Sequence, residues 1–214
     1  MGLPSGLLWA PVNLDISQPG GYASSPFQYD CSYFSWGNTD GHNPTSPSSF
    51  SPWDWGGIND ESPWYEGQIY GETPGAGLND NISGAYDAAS TILGSKWQIP
   101  SVDDWTELIN NCDFVDANGN IVESEDKRVS VNGCIGLLLK SKNNGALLFF
   151  ACCGYGVGQT LSQSANNGYY WSSNFVDDKV CRAVLINSTG VHESFSGYRY
   201  NGRPIRPVFR PSSA

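Results

Sequence analysis

Charge is scarce in this sequence, and basic charge scarcest: 15% of residues are charged, 11 basic against 21 acidic, for a formal net charge of −10. A chain that acidic repels a phosphate backbone, so nucleic acid is not an expected partner. No segment reaches the roughly 18 uninterrupted apolar residues of a membrane-spanning helix. The longest apolar run, Ala146 to Cys153, has the length of a buried strand. The opening residues show no basic stretch followed by an apolar core, so no secretory leader is legible in them. Met1-Gly2 is followed by Gly6 where a myristoylation signal wants Ser or Thr. None of the six cysteines has the C-x-x-C spacing of a zinc site. The two histidines, His42 and His192, sit in loop-like contexts, and no G-x-S-x-G nucleophile elbow occurs.

What the chain does have is aromatic residues (13%), 25 glycines and 13 prolines. The aromatic load argues against disorder, and the glycines and prolines imply many turns and irregular loops. At 214 residues the length suits one domain, spanning 1–214. Leu7 to Leu14 reads as an opening strand, interrupted by Pro11. Residues 15–80 form a long irregular region holding Trp36, Trp53, Trp55 and Trp64, which implies a second small core beneath loops.

Two helices are predicted next. Ser83 to Leu93 places Ala85, Ala88, Ala89 and Ile92 on one stripe, with Gly94 as the stop. Ser101 to Cys112 is the clearer one. Ser101 caps it, Asp104 stands three residues on as in a capping box, and Trp105, Leu108 and Ile109 mark the buried face. Beyond residue 112 the pattern turns to β. Asn-Gly pairs, which favour tight hairpin turns, begin at Asn118, Asn132, Asn144, Asn167 and Asn201. Ile135–Lys142 and Ala146–Cys153 flank one of them as a hairpin, and Tyr169–Asn174, Val180–Asn187 and Arg203–Phe209 read as further strands.

The cysteines read as small core hydrophobes, with one disulfide, for example Cys112 with Cys134, left open by the sequence. Cys152 and Cys153 are adjacent and so point to opposite faces of a strand, which disfavours a vicinal disulfide. Asp116 to Glu123 has Ile121 where a calcium-binding EF-hand loop needs glycine. No cofactor is expected, and a structural calcium ion would rest on acidic loops such as Asn79-Asp80 without a motif. Asn81-Ile82-Ser83 and Asn187-Ser188-Thr189 match the glycosylation sequon. The run His192-Glu193-Ser194-Phe195-Ser196-Gly197-Tyr198 shows neither turn nor helix logic, unlike the ordered segments on either side of it.

Taken in order, LPSGLLWAPVNL (3–14), YFSWG (33–37), YDAASTILGSKWQIPSVDDWTELINNC (86–112), YYWSSN (169–174) and GRPIRPV (202–208) resemble the Fibrobacter succinogenes major paralogous domain of bacterial surface proteins. That family is related to the formylglycine-generating-enzyme branch of the C-type lectin fold. The scrambled run closed by RYNGRPIRPV (199–208) is similar to the variable proteins of diversity-generating retroelements. The resemblance implies an α+β chain of C-type-lectin-like fold, with two helices on a mainly antiparallel sheet and long loops. It also implies a variable ligand-binding segment at about 169–198.

In such proteins the diversified positions often derive from asparagine codons by changes at adenine. Tyr169, Asp177, Asp178, Cys181, Ala183 and Leu185 fit that origin, as do His192, Ser194, Phe195, Ser196 and Tyr198; Lys179 and Glu193 fit less directly. The implied function is a receptor-binding variable protein on a phage tail or bacterial surface, its partner a protein or glycan on another cell. A non-diversified surface adhesin or structural domain is the alternative. Enzyme activity is not expected: the related enzymes carry a cysteine pair near the C-terminus, and here only Cys181 lies in that region. The sugar-and-calcium motif of true lectins is also missing, so the fold name alone implies no sugar binding.

Overall fold

Asn-Gly turns and short apolar runs cut the second half of this chain into hairpins. The computed structural model describes residues 1–44, 82–157, 160–177, 180–199 and 201–211. Trp53, Trp55, Trp64, Asn79, Asp80 and Asn81 lie outside the described residues, as do Asp178 and Lys179. The first elements are β1 (Leu8–Trp9), α1 (Ala88–Leu93), β2 (Trp97–Gln98) and α2 (Val102–Asn110). Then come β3 (Cys112–Phe114), β4 (Val129–Val131), β5 (Cys134–Ser141) and β6 (Leu147–Ala151). The chain continues through β7 (Tyr155–Val157), β8 (Thr160–Ser162), β9 (Gly168–Phe175), β10 (Val180–Asn187), β11 (Gly190–Tyr198) and β12 (Val208–Phe209).

These strands make four small antiparallel sheets. β1, β12 and β2 form one, and β11, β10 and β9 the second. In the third, β5 takes β3 and β4 along one edge and β6 along the other; β7 and β8 pair alone.

The architecture expected above, an α+β chain of C-type-lectin-like fold with two helices on a mainly antiparallel sheet, is therefore corrected. Among the described residues strands dominate, and the only α-helices are α1, of six residues, and α2, of nine. α2 packs against β9, β11 and β3, whereas α1 lies beside β2 and two short 3-10 turns and adds Ala88 and Ala89 to the cluster behind the β9–β10 pair. The reason is local. Residues 84–86 form one of those turns, and Asp87 then starts a new helix by accepting from Ser90 N at 3.0 Å. Gly94, at φ 100°, ends it one turn later. α2 forms as its capping box dictates: Asp104 N donates to Ser101 Oγ, and Ser101 N donates to Asp104 Oδ2 at 2.8 Å.

Asp87 carries a pH dependence. Burial pushes its carboxyl up to about 6, although Ser90 N and Ile99 N both donate to it. The folded chain thus holds that proton more tightly than the unfolded chain does. Stability falls as pH rises through the window from about 4 to about 6, by on the order of 3 kcal/mol. Urea midpoints taken from pH 4 to 7 will show this slope in the natural chain and a flattened one in Asp87→Asn.

The strands of the two large sheets alternate between buried faces. Leu137 and Leu139 of β5, Tyr170 of β9, and Val184 and Ile186 of β10 share a central core with Trp105 and Leu108 of α2. On its other face the β5–β6 pair buries Leu138, Phe149 and Ala151 with Cys31, Tyr33 and Cys153. The β9–β10 pair buries Trp171, Cys181 and Ala183 on its far side, with Phe34, Trp36 and Ile205. The indoles lock these layers: Trp36 Nε1 donates to Ser172 O at 2.9 Å and Trp171 Nε1 to Phe34 O at 2.6 Å.

Asn132-Gly133 makes the expected two-residue turn between β4 and β5, both residues at positive φ. Asn144-Gly145 lies in the β5–β6 connection. Asn167-Gly168 and Asn201-Gly202 close no hairpin; Gly168 instead bridges Gly154 and Gly202 bridges Gly156 of β7. The opening segment forms strand only at Leu8–Trp9, and Arg203–Phe209 only at Val208–Phe209. Cys112 and Cys134 sit at opposite ends of β5, since Cys112 pairs with Ser141. That separation of roughly 23 Å rules out a disulfide between them.

Candidate ligand-binding site

The run that showed no local logic, residues 192–198, is the edge strand β11, joined to β10 by a tight turn at Ser188-Thr189. Asn187 Oδ1 closes this turn by accepting from Thr189 N at 2.9 Å and from Thr189 Oγ1 at 2.8 Å. The register then slips. Leu185 pairs with His192 and Ala183 with Phe195, so β11 carries one extra residue at Glu193-Ser194. That bulge sends the neighbouring side chains outward. It leaves a depression of about 460 Å³ lined by Leu185, Asn187, His192, Glu193, Ser194 and Phe195.

Below the depression lies a stack of rings on a buried cation. Phe195 meets Tyr169 edge-on at 5.6 Å between centroids, and Tyr169 meets Tyr155 at 4.9 Å. The Arg203 guanidinium lies 4.6 Å from the Trp171 centroid, 5.3 Å from Tyr169, 5.6 Å from Phe195 and 5.7 Å from Tyr155. Arg203 is 2% exposed, and its Nε and Nη1 have no hydrogen-bond acceptor. Burial draws its pKa down to about 10, which leaves it charged at neutral pH. The π faces of four rings take the place of acceptors and hold the cation, and the cation holds Tyr169 and Phe195 in place.

His192 adds a geometry that imitates a nucleophile and its base, with Nε2 at 2.9 Å from Thr189 Oγ1. The same nitrogen is 3.1 Å from Asn187 Oδ1, which accepts and cannot donate. Nε2 therefore carries the proton and donates, and the Thr189 hydroxyl gives its own proton to Asn187. In this arrangement the imidazole is no base for Thr189. Among the described residues no group of three or more His, Cys, Asp or Glu side chains could hold a metal ion.

The remaining candidates fall elsewhere. Cys181 and Ala183 are fully buried in the core behind β10, so neither can touch a ligand; their place among the contact residues is corrected here. Asp177 is exposed at the far end of β10, where its Oδ1 accepts from Val180 N at 2.8 Å and closes the β9–β10 turn. Tyr198, 43% exposed, pairs with Val180 at that same end. Ser196 faces the opposite side of the ribbon from Phe195, where Arg182 Nη1 donates to its hydroxyl at 2.9 Å. The structure thus gathers Leu185, His192, Glu193, Ser194 and Phe195 over Tyr169, and separates them from Asp177 and Tyr198.

No family model, curated protein or solved structure matches this chain.

Three contributors escaped the sequence reading. Arg203 appeared only in the GRPIRPV segment and at the start of a predicted strand, Asn187 only at the end of another and in a sequon, and Thr189 only in that sequon. The one available signal was positional: Asn-x-Thr at the end of a strand-like run is a turn with a side-chain acceptor. A second depression, of about 480 Å³, is lined by Asp15, Ser17, Gln18, Ser24, Asp30 and Pro44 among others, and holds none of the candidate residues.

Proposed function

We propose that this chain is a ligand-binding protein, varied by a diversity-generating retroelement and displayed on a phage tail or bacterial surface, and that the β10–β11 depression takes a side chain of a protein on another cell. One observation carries this reading: five of the residues picked out as diversified, Leu185, His192, Glu193, Ser194 and Phe195, surround a single depression. Leu185 and Phe195 supply an apolar centre, and His192, Glu193 and Ser194 a polar rim. That is the pattern of a protein-contacting patch with an aromatic anchor. Among the described residues no helix is long and apolar enough to cross a membrane.

Two measurements test it. Arrays of bacterial surface proteins and of glycans are probed with the full chain. Capture of a protein is expected, and His192→Ala combined with Glu193→Ala should weaken it about 10- to 100-fold, while Ser130→Ala on remote β4 leaves it unchanged. Capture by glycans alone would overturn the protein-ligand reading. The encoding genome should hold a reverse transcriptase and a near-copy of the 3′ coding segment differing only at adenines. Without both, the chain is a non-diversified surface adhesin.

A further inference from the structure

Of the six described residues that line the β10–β11 depression, Glu193 is the one acid, and neither lysine nor arginine is among them. Leu185 and Phe195 are half-buried, so part of each apolar side chain faces the opening. Among the described residues Glu193 has no hydrogen-bond or ion-pair partner; the described ion pairs engage Asp104, Asp113 and Asp126 instead. Two arginines lie close in the fold, and neither serves it. Arg182 is on the opposite side of the ribbon, where its Nη1 donates to Ser194 O at 3.3 Å and to Ser196 Oγ at 2.9 Å. Arg203 is sealed beneath Phe195 among four rings. Other polar atoms of the rim accept as well. His192 Nε2 donates to Asn187 Oδ1, so Nδ1 of the neutral ring is an acceptor, and the Ser194 hydroxyl accepts too.

We propose that the side chain taken by this depression is basic, an arginine or lysine of the partner protein, with its carbon stem on Leu185 and Phe195 and its charged head at Glu193. This rests on the reading of the depression as the contact site and adds the chemistry of what enters it. A basic side chain brings donors and no acceptors, the complement of this rim. Its methylene stem covers apolar surface while its head stays with the acid. An acidic side chain would be repelled by Glu193, and a neutral apolar one would cover that carboxylate without pairing it. Arg203 opposes a second cation, but the Phe195 ring stands between it and the depression. It is farther from an incoming head than Glu193 is, and Coulomb energy falls with distance. The net charge of −10 also draws basic partners toward the chain.

The isotope-labelled full chain is titrated with N-acetyl-arginine amide, N-acetyl-leucine amide and N-acetyl-glutamate amide at millimolar concentrations. The NMR signals of the Leu185 methyls and the His192 ring are followed. The arginine amide should shift both and bind about 5- to 10-fold more tightly than the leucine amide, with the glutamate amide weakest. Glu193→Gln should remove the difference between arginine and leucine, and Glu193→Lys should make the glutamate amide the tightest of the three. Glu193 bonds to nothing in the fold, so neither substitution removes a structural contact. Leucine amide binding as tightly as arginine amide to the natural chain overturns the basic side chain and leaves the depression as a contact site. No shift with any of the three overturns the proposal and the contact site together.

Discussion

Arg206→Ala will lower the unfolding free energy by about 3–5 kcal/mol, read as a lower urea midpoint with an unchanged slope. Arg206 is 1% exposed, and every nitrogen of its guanidinium is used. Nε donates to Asn13 Oδ1 at 2.7 Å, Nη1 to Pro11 O at 2.9 Å and Ala10 O at 3.3 Å, and Nη2 to Phe149 O at 2.9 Å. Its plane lies 4.7 Å from the Phe150 centroid. Truncation strands three carbonyls and the Asn13 amide oxygen in the interior and leaves a cavity against Phe150. The loss is large because these acceptors belong to separate parts of the chain, the N-terminal segment and β6, which the side chain joins. Arg206→Lys will recover little of it, since one ammonium cannot span acceptors set for a planar fork.

Gly197→Ala will cost about 2–4 kcal/mol, for a purely steric reason. A methyl group there runs into the Arg203 guanidinium, with Nη2 and Cζ closest. The guanidinium has no retreat, because Trp171, Tyr169, Phe195 and Tyr155 wall it in. Arg203→Met keeps comparable bulk on a flexible stem and removes a cation whose Nε and Nη1 lack acceptors, so alone it should change stability by only about 1 kcal/mol. The double variant should recover most of the loss seen in Gly197→Ala. Urea denaturation of the four proteins gives the coupling directly. Equal cost of the methyl in both backgrounds would show that the clash lies elsewhere. The same cycle bears on the depression, since Arg203 holds Tyr169 and Phe195 beneath it.

Short-range chemistry was legible before any coordinates. Ser101 and Asp104 announced the start of α2, and Asn132-Gly133 announced the β4–β5 turn, because each signal acts within three or four residues. β11 was not legible. Its extra residue at Glu193-Ser194 breaks the alternation that marks a strand, so His192 to Tyr198 looked patternless. Gathering the codon-derived candidates by type also failed for Cys181 and Ala183. Both faces of β10 are covered, and a small side chain there carries no mark of which core it enters.

By itself the sequence determined the acidity, the Asn132-Gly133 turn, the cap of α2 and the β-rich second half, all properties of single residues or near neighbours. Tertiary structure alone decided that three arginines, Arg199, Arg203 and Arg206, lie inside, against the usual placement of that residue. It also brought Leu185 and Phe195 to one depression, and Cys31 into the buried cluster that holds Cys153, across more than a hundred residues. Those outcomes depend on strand register and on which layer covers each sheet face, and no window of neighbouring residues encodes either.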